Sequence, residues 1–139
     1  LPTSVLVMKN VDLDRHYRIL LCVDDSSATD RAVRFGATIA KQMNFPVTIM
    51  TVSKTEEFGP GYSGAAEAAS QHLEFQQVDH EQKFITGDPV NTFIETAGED
   101  HLIVMGSSSK SALAKFFLGS KPMKTLEKAN CPILVVRDK

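Results

Sequence analysis

The sequence has no tryptophan and only two cysteines, Cys22 and Cys131, which form no Cys-x-x-Cys pair. Both lie beside apolar residues typical of strands, so we interpret them as reduced core thiols rather than as a redox pair or metal ligands. The four histidines also lack paired spacings such as His-Glu-x-x-His that bind zinc. The sequence therefore predicts neither disulfides nor a structural metal.

Long apolar runs and an excess of positive charge are also missing. No apolar run approaches the roughly 20 residues that span a bilayer, and no signal-peptide pattern is present. With 15 basic and 17 acidic residues the formal charge is −2, so the basic footprint of a nucleic-acid-binding protein is absent. We therefore expect a cytoplasmic protein that binds no nucleic acid and does not insert directly into a membrane.

Short apolar segments alternate with helical patterns along 139 residues, a length typical of one domain. Strands alternating with helices predict an α/β fold, an open five-stranded parallel sheet with helices on both faces. Residues 53–64 are rich in glycine, which predicts a mobile surface loop. The predicted strands are 18–23, 47–52, 80–86, 102–105 and 133–136, and the predicted helices are 29–43, 65–78, 90–97, 111–118 and 120–129.

Small residues are concentrated after the fourth predicted strand, in the stretch 105–120, MGSSSKSALAKFFLGS. Glycines let a backbone approach a phosphate closely, and amide N–H groups and serine hydroxyls can donate to it. In sheets of this kind ligands bind beyond the carboxyl ends of the strands. Spacing alone leaves two interpretations open: a phosphate-binding loop at residues 106–109 and 119–120, or turn glycines in a solvated loop. A P-loop is excluded because Ser111 stands where its second glycine would fall.

This stretch resembles the nucleotide-binding motif of the universal stress protein family, Gly-x2-Gly-x9-Gly-[Ser/Thr]. Gly106 begins the motif, nine residues separate Ser109 from Gly119, and Ser120 ends it. The similarity to this family covers essentially all of residues 17–137. The flanking segments that also match are 87–89, 103–106 and 129–136.

The resemblance implies a Rossmann-like sheet of the adenine nucleotide alpha hydrolase type, with the strand order 3-2-1-4-5. It implies a regulatory protein that binds ATP or AMP, with Mg²⁺ held through the phosphates, and a dimer through the last strand, either a homodimer or a pseudo-dimer of tandem domains. The Asp24 carboxylate would accept hydrogen bonds from ribose hydroxyls. By matching position, Cys22, Val23 and Asp24 would meet adenine and ribose, Val52 would border the base, and Met105, Gly106, Ser109, Gly119, Ser120 and Lys121 would line the phosphates.

Two positions depart from the family pattern. Ser109 stands at the second motif glycine, and Lys121 stands where many relatives have an apolar residue. A serine held at positive φ would be strained by about 1 kcal/mol or more, although its hydroxyl could donate a hydrogen bond. The alternative function is therefore a universal stress protein-like interaction module that dimerises but no longer binds nucleotide.

The first residues contain an echo of the last predicted strand. The segments 4–10, SVLVMKN, and 132–138, PILVVRD, both place four apolar residues before a cation and a short polar side chain. We therefore expect residues 1–16 to be a linker or the remnant strand of a preceding copy of the domain 17–139, and the chain to be part of a larger protein. The last strand would be an exposed edge unless it pairs with a second copy or with the segment 5–8.

Two other function classes receive less support. The acidic pair Asp24-Asp25 resembles that of a phosphorylated receiver domain, but Asp79 precedes the third predicted strand and Asp88 lies in a Gly-Asp-Pro turn, so no phosphate acceptor is in place. The acidic pair can instead cap the helix that begins near Thr29. ATP bound together with Mg²⁺ could be hydrolysed slowly through electrostatic stabilisation alone, and we predict no catalytic residues.

Overall fold

Strands and helices alternate over residues 18–107, as the apolar pattern predicts. The computed structural model describes residues 5–7, 12, 14–24, 28–55, 57–107 and 128–137. Among the helices in these ranges, none is both long and apolar enough to cross a membrane. The elements are β1 (Val5–Val7), β2 (Arg18–Cys22), α1 (Ala28–Met43), β3 (Val47–Ser53), α2 (Pro60–Phe75), β4 (His80–Thr86), α3 (Pro89–Ala97), β5 (His101–Ser107) and β6 (Ile133–Arg137).

Five of the strands form a parallel sheet in the order β4-β3-β2-β5-β6. Counted along the predicted strands this order is 3-2-1-4-5, so the predicted fold is confirmed. The register pairs Cys22 with Met50 of β3 on one side and with Met105 of β5 on the other. A further strand, β1, pairs antiparallel with the outer edge of β6. Residues 5–7 therefore pair with the last strand of their own chain.

The central strand β2 is buried on both faces. Alternate residues of a strand point to opposite faces, and in β2 Ile19 and Leu21 pack with α1 and α2, whereas Leu20 and Cys22 pack with α3. None of these four side chains is more than 1% exposed. A strand covered on both faces needs a nearly continuous apolar sequence, which is the pattern that predicts it.

Helix α1 packs closely on the sheet at Gly36. A Cβ atom at this position would lie 3.3 Å from Leu21 Cδ1 and 3.8 Å from Val104 Cγ1. The first of these distances is tighter than ordinary van der Waals contact between packed side chains. The missing side chain of Gly36 therefore lets α1 lie close to β2 and β5.

Helix α2 begins earlier than predicted. The helix was expected over 65–78, but it starts at Pro60, so the prediction of a loop over 53–64 is wrong at both of its ends, because β3 also extends through Ser53. Proline is favourable in a first helical turn because its fixed φ is helical and its missing N–H needs no partner there. The predicted helix 111–118 and all but the last two residues of 120–129 lie outside the described residues.

The same helix also ends earlier than its apolar pattern suggests. Gln77 takes a φ of 60°, and the N–H of Val78 donates to the carbonyl oxygen of Leu73 at 2.9 Å. This bond and the 3.0 Å bond from the Gln77 N–H to the Glu74 carbonyl oxygen form a Schellman motif, in which the hydrophobic residue after the turn packs on the last helical turn. Val78 and Leu73 are both buried in one cluster, so Val78 belongs to the cap rather than to the helix.

Replacement of Gly36 by leucine is expected to lower the free energy of unfolding by about 1–3 kcal/mol, the usual range for overpacking a core. Leucine favours a helix over glycine by up to about 1 kcal/mol, but its side chain must displace Leu21 or move α1. Thr38→Leu is the matched control, because Thr38 is exposed on the same helix. Urea denaturation compares the two variants, and equal stabilities would contradict close packing at Gly36.

Candidate functional site

The order of the strands reverses beside β2. From β2 the sheet continues to β3 and β4 on one side and to β5 and β6 on the other. Open α/β sheets bind ligands at such a reversal, in the crevice beyond the carboxyl ends of the strands. Asp24 follows β2 at this edge, and Gly106 lies near the carboxyl end of the adjacent β5. Two of the predicted site residues are therefore brought to the same crevice.

Asp24 is fixed by Thr29, in the first turn of α1. Thr29 Oγ1 donates to Asp24 Oδ1 at 2.8 Å, lies 3.0 Å from the Asp24 carbonyl oxygen and accepts the Asp24 N–H at 3.3 Å. Both residues are buried, Asp24 at 8% and Thr29 at 5% exposed. These contacts join Asp24 to a side chain in the first turn of α1, where the positive end of the helix dipole favours a carboxylate. A carboxylate has about four acceptor positions, so the bond from Thr29 uses part of its capacity.

Three apolar residues assigned to the site share one face of the sheet. Cys22, Val52 and Met105 belong to the cluster under α3, whereas Val23 belongs to the cluster under α1 and α2. All four are at most 6% exposed, so they belong to the core beneath this edge of the sheet. Ser109, Gly119, Ser120 and Lys121 lie outside the described residues, and their assignment stays a prediction.

The Cys22 thiol is held in its protonated form. Burial raises its pKa well above the usual value, and the nearby Asp24 carboxylate and the Cys131 thiol raise it further. A protonated thiol is a poor nucleophile and a poor metal ligand. Cys22 and Cys131 are buried, as the sequence predicts, and form no disulfide with each other, and they lie in the same apolar cluster.

A cavity opens between the first halves of α1 and α2, next to Asp24. Its volume is about 190 Å³. The part of its lining that α2 supplies was not predicted, although small residues recur along α2 at helical spacing and provide the signal for it. The lining residues are Asp24, Thr29, Asp30, Val33, Gly61, Ala65, Ala68 and Ala69.

Ser70 and His80 form a hydroxyl–imidazole pair at the opposite edge of the sheet. His80 Nδ1 lies 2.9 Å from the carbonyl oxygen of Val78, which can only accept, so Nδ1 carries the proton. Nε2 is then the acceptor for Ser70 Oγ at 2.8 Å. Ser70 is 5% exposed, and His80 begins β4 at its amino end. The pair therefore joins α2 to β4 and does not form part of the crevice.

The raised pKa of Cys22 predicts how stability depends on pH. Its contribution is complete below the unfolded thiol pKa of about 8.5 and is lost as the pH rises from there towards the higher folded value. The parent chain should lose stability relative to Cys22→Ala above about pH 8.5, by at most about 1.4 kcal/mol per pH unit. Urea denaturation of both chains across this range measures the difference, and a difference independent of pH would contradict the assignment.

Comparison with known proteins places the whole domain in one family. The sequence profile of the universal stress protein family matches residues 16–137. The universal stress protein Rv2005c of Mycobacterium tuberculosis is 28% identical over 142 aligned positions, which cover 88% of this chain and 48% of that protein. The chain therefore spans about half the length of this curated relative.

Solved structures share the fold. A universal stress protein crystallised in complex with cAMP superposes with a TM-score of 0.69 at 23% identity, over 91% of this chain and all of that chain. The universal stress protein from Archaeoglobus fulgidus in complex with dAMP gives a TM-score of 0.61 at 19% identity, over 86% of this chain and 97% of that chain. At these identities the similarity to the solved structures concerns the fold alone. Membership of the family is shown by the match to its sequence profile. The chain belongs to the universal stress protein family.

Proposed function

We propose that this chain is a regulatory domain that binds an adenine nucleotide, ATP or AMP, in the crevice where the strand order reverses. The proposal rests on the positions of Asp24 and Gly106, which lie at the carboxyl ends of the adjacent strands β2 and β5. Relatives of the same fold have been crystallised with cAMP and dAMP. These complexes support an adenine nucleotide as the ligand class.

The residues at the crevice suit the two halves of a nucleoside. The side chains of Cys22, Val52 and Met105 make the core apolar directly beneath this edge, an environment that suits an adenine ring. A carboxylate such as Asp24 accepts hydrogen bonds only, and ribose hydroxyls can donate to it. Hydrogen bonds to a charged acceptor contribute about 1.5–3 kcal/mol. In this proposal Asp24 recognises the ribose, and the apolar residues accommodate the adenine ring.

The phosphates are assigned to the glycine- and serine-rich segment after β5. By the family motif, Gly106, Ser109, Gly119 and Ser120 would supply backbone and hydroxyl donors, and Lys121 would add charge. A divalent cation such as Mg²⁺ would be held through the phosphates. We propose no catalytic role for the described residues.

Calorimetric titration with AMP, ADP and ATP, each with and without Mg²⁺, tests the proposal. We expect saturable binding of at least one nucleotide by the parent chain and loss of binding in Gly119→Val, since a side chain there would obstruct the approach of a phosphate. The absence of heat at millimolar nucleotide would contradict the proposal and favour the interaction module that does not bind nucleotide.

The role of Asp24 is tested by pairing a protein change with a ligand change. We expect Asp24→Ala to weaken AMP binding about tenfold or more, which corresponds to about 1.4 kcal/mol, but to weaken binding of 2′,3′-dideoxy-AMP much less. Thr29→Val is the matched control, because it removes the Thr29–Asp24 hydrogen bond and keeps the carboxylate. If Thr29→Val reproduces the whole loss, or if both ligands are weakened equally, Asp24 acts on the helix start and not on the ribose.

A further inference from the structure

A second cavity lies at the amino edge of the sheet, between the carboxyl-terminal ends of α1 and α2. Its volume is about 260 Å³. That is many times the roughly 30 Å³ that one water molecule occupies, and it falls just below the range that begins at roughly 300 Å³ for sites of drug-sized ligands. The crevice next to Asp24 lies at the opposite edge of the sheet. The second cavity is therefore a separate space, with room for a ligand smaller than a nucleotide.

Both helices that flank this cavity are followed by a residue in a left-handed conformation. Asn44 follows α1 with a φ of 58°, and Gln77 follows α2 with a φ of 60°. Within the part of the chain that the structure describes, these are the two non-glycine residues with a positive φ. Glycine is the usual residue at this position because it takes such a φ without strain. Here the strain is accepted, and both carboxamide side chains line the same cavity.

Two opposite charges also line the cavity without pairing. Lys41 lies in the last turn of α1, and Asp79 lies directly before β4. Among the described residues, neither these two side chains nor those of Asn44 and Gln77 form an ion pair or a hydrogen bond with another residue. All four are exposed. The cavity therefore presents a cation, an anion and two carboxamides that are all available to a ligand.

This combination of charges limits the class of ligand. A simple cation would be repelled by Lys41, and a simple anion would be repelled by Asp79 and by the partial negative charge at the carboxyl ends of both helices. A molecule that carries both charges avoids each repulsion. The half-buried ring of Phe45 and the buried side chain of Val78 add an apolar wall. The lining therefore suits a small zwitterion with an apolar part.

We infer that this cavity binds a free α-amino acid with an apolar side chain. Its carboxylate lies towards Lys41 and its ammonium group towards Asp79. The carboxamides of Asn44 and Gln77 can each donate to the carboxylate or accept from the ammonium group. The site does not depend on the nucleotide site proposed above, because the two share no lining residue and lie at opposite edges of the sheet.

Amide NMR titration of the full chain with three probes tests the inference. The probes are leucine, leucinamide, which lacks the carboxylate, and N-acetylleucine, which lacks the ammonium group. We expect millimolar leucine to shift the amides of Lys41, Asn44 and Asp79 in a saturable way. Each of the other probes should bind about fivefold more weakly, as expected for the loss of one exposed ion pair.

Single charge changes in the protein then identify the partner of each charge in the ligand. Lys41→Gln should remove the preference for leucine over leucinamide and keep the preference over N-acetylleucine, and Asp79→Asn should do the reverse. Lys54→Gln is the matched control, because Lys54 is an exposed lysine beyond the carboxyl end of β3, and it should keep both preferences. All three positions are exposed, so each variant should give the dispersed spectrum of the parent chain.

Three results would overturn the inference. They are unchanged amides around the cavity at millimolar leucine, equal affinities for the three probes, and variants at Lys41 and Asp79 that behave like Lys54→Gln. Nucleotide binding is measured at amides of the opposite edge, so its presence or absence leaves each of these results unaffected.

Discussion

The burial of β2 on both faces and along both edges is the constraint on which the rest of the structure depends. Its side chains fill both halves of the core, and its backbone is bonded to β3 and β5. A strand so enclosed can sit only at the centre of the sheet, with helices above and below it. Because the chain leaves this strand to build β3 on one side and returns later to build β5 on the other, the crevice forms at its carboxyl end.

The position of Asp24 follows from that constraint. The residues before it must be apolar to fill the core, so a carboxylate can appear only where the strand ends and the core stops. There Thr29 holds it at the start of α1. Its contacts give it a structural role at the first turn of α1, and its position suits the ligand-binding role proposed for it. The two roles are compatible, because one carboxylate can accept several hydrogen bonds.

Periodicity predicted the alternation of strands and helices, and the family resemblance supplied the order of the strands. The bounds of β4 are those that the sequence indicates, 80–86, since a strand bounded by turn residues has a local signal. The start of α2 was missed because Gly61 and Gly64, inside the helix, are typical of loops, and the helix is stabilised by packing of Ala66 and Leu73 on the sheet rather than by propensity.

The residue types of the candidate site could be predicted from the sequence, but their arrangement in space could not. The family motif identifies residues along the chain, and the register then determines which of them adjoin, such as Cys22 and Met105. The bond from Thr29 to Asp24 and the cavity beside α2 depend on how α1 and α2 approach each other. The echo in the first residues indicated a strand, but only the register showed that this strand pairs antiparallel with β6.

An amide NMR titration with AMP tests most directly whether a nucleotide binds where the strand order reverses. We expect the amide chemical shifts of Asp24, Gly106 and Ser107, at the carboxyl edge of the sheet, to change on addition of AMP. Those of Asp79 and His80, at the amino edge, should remain unchanged. Shifts centred on the amino edge, or on the cavity lined by Ala40, Asn44 and Gln77, would contradict a nucleotide site at the reversal of strand order.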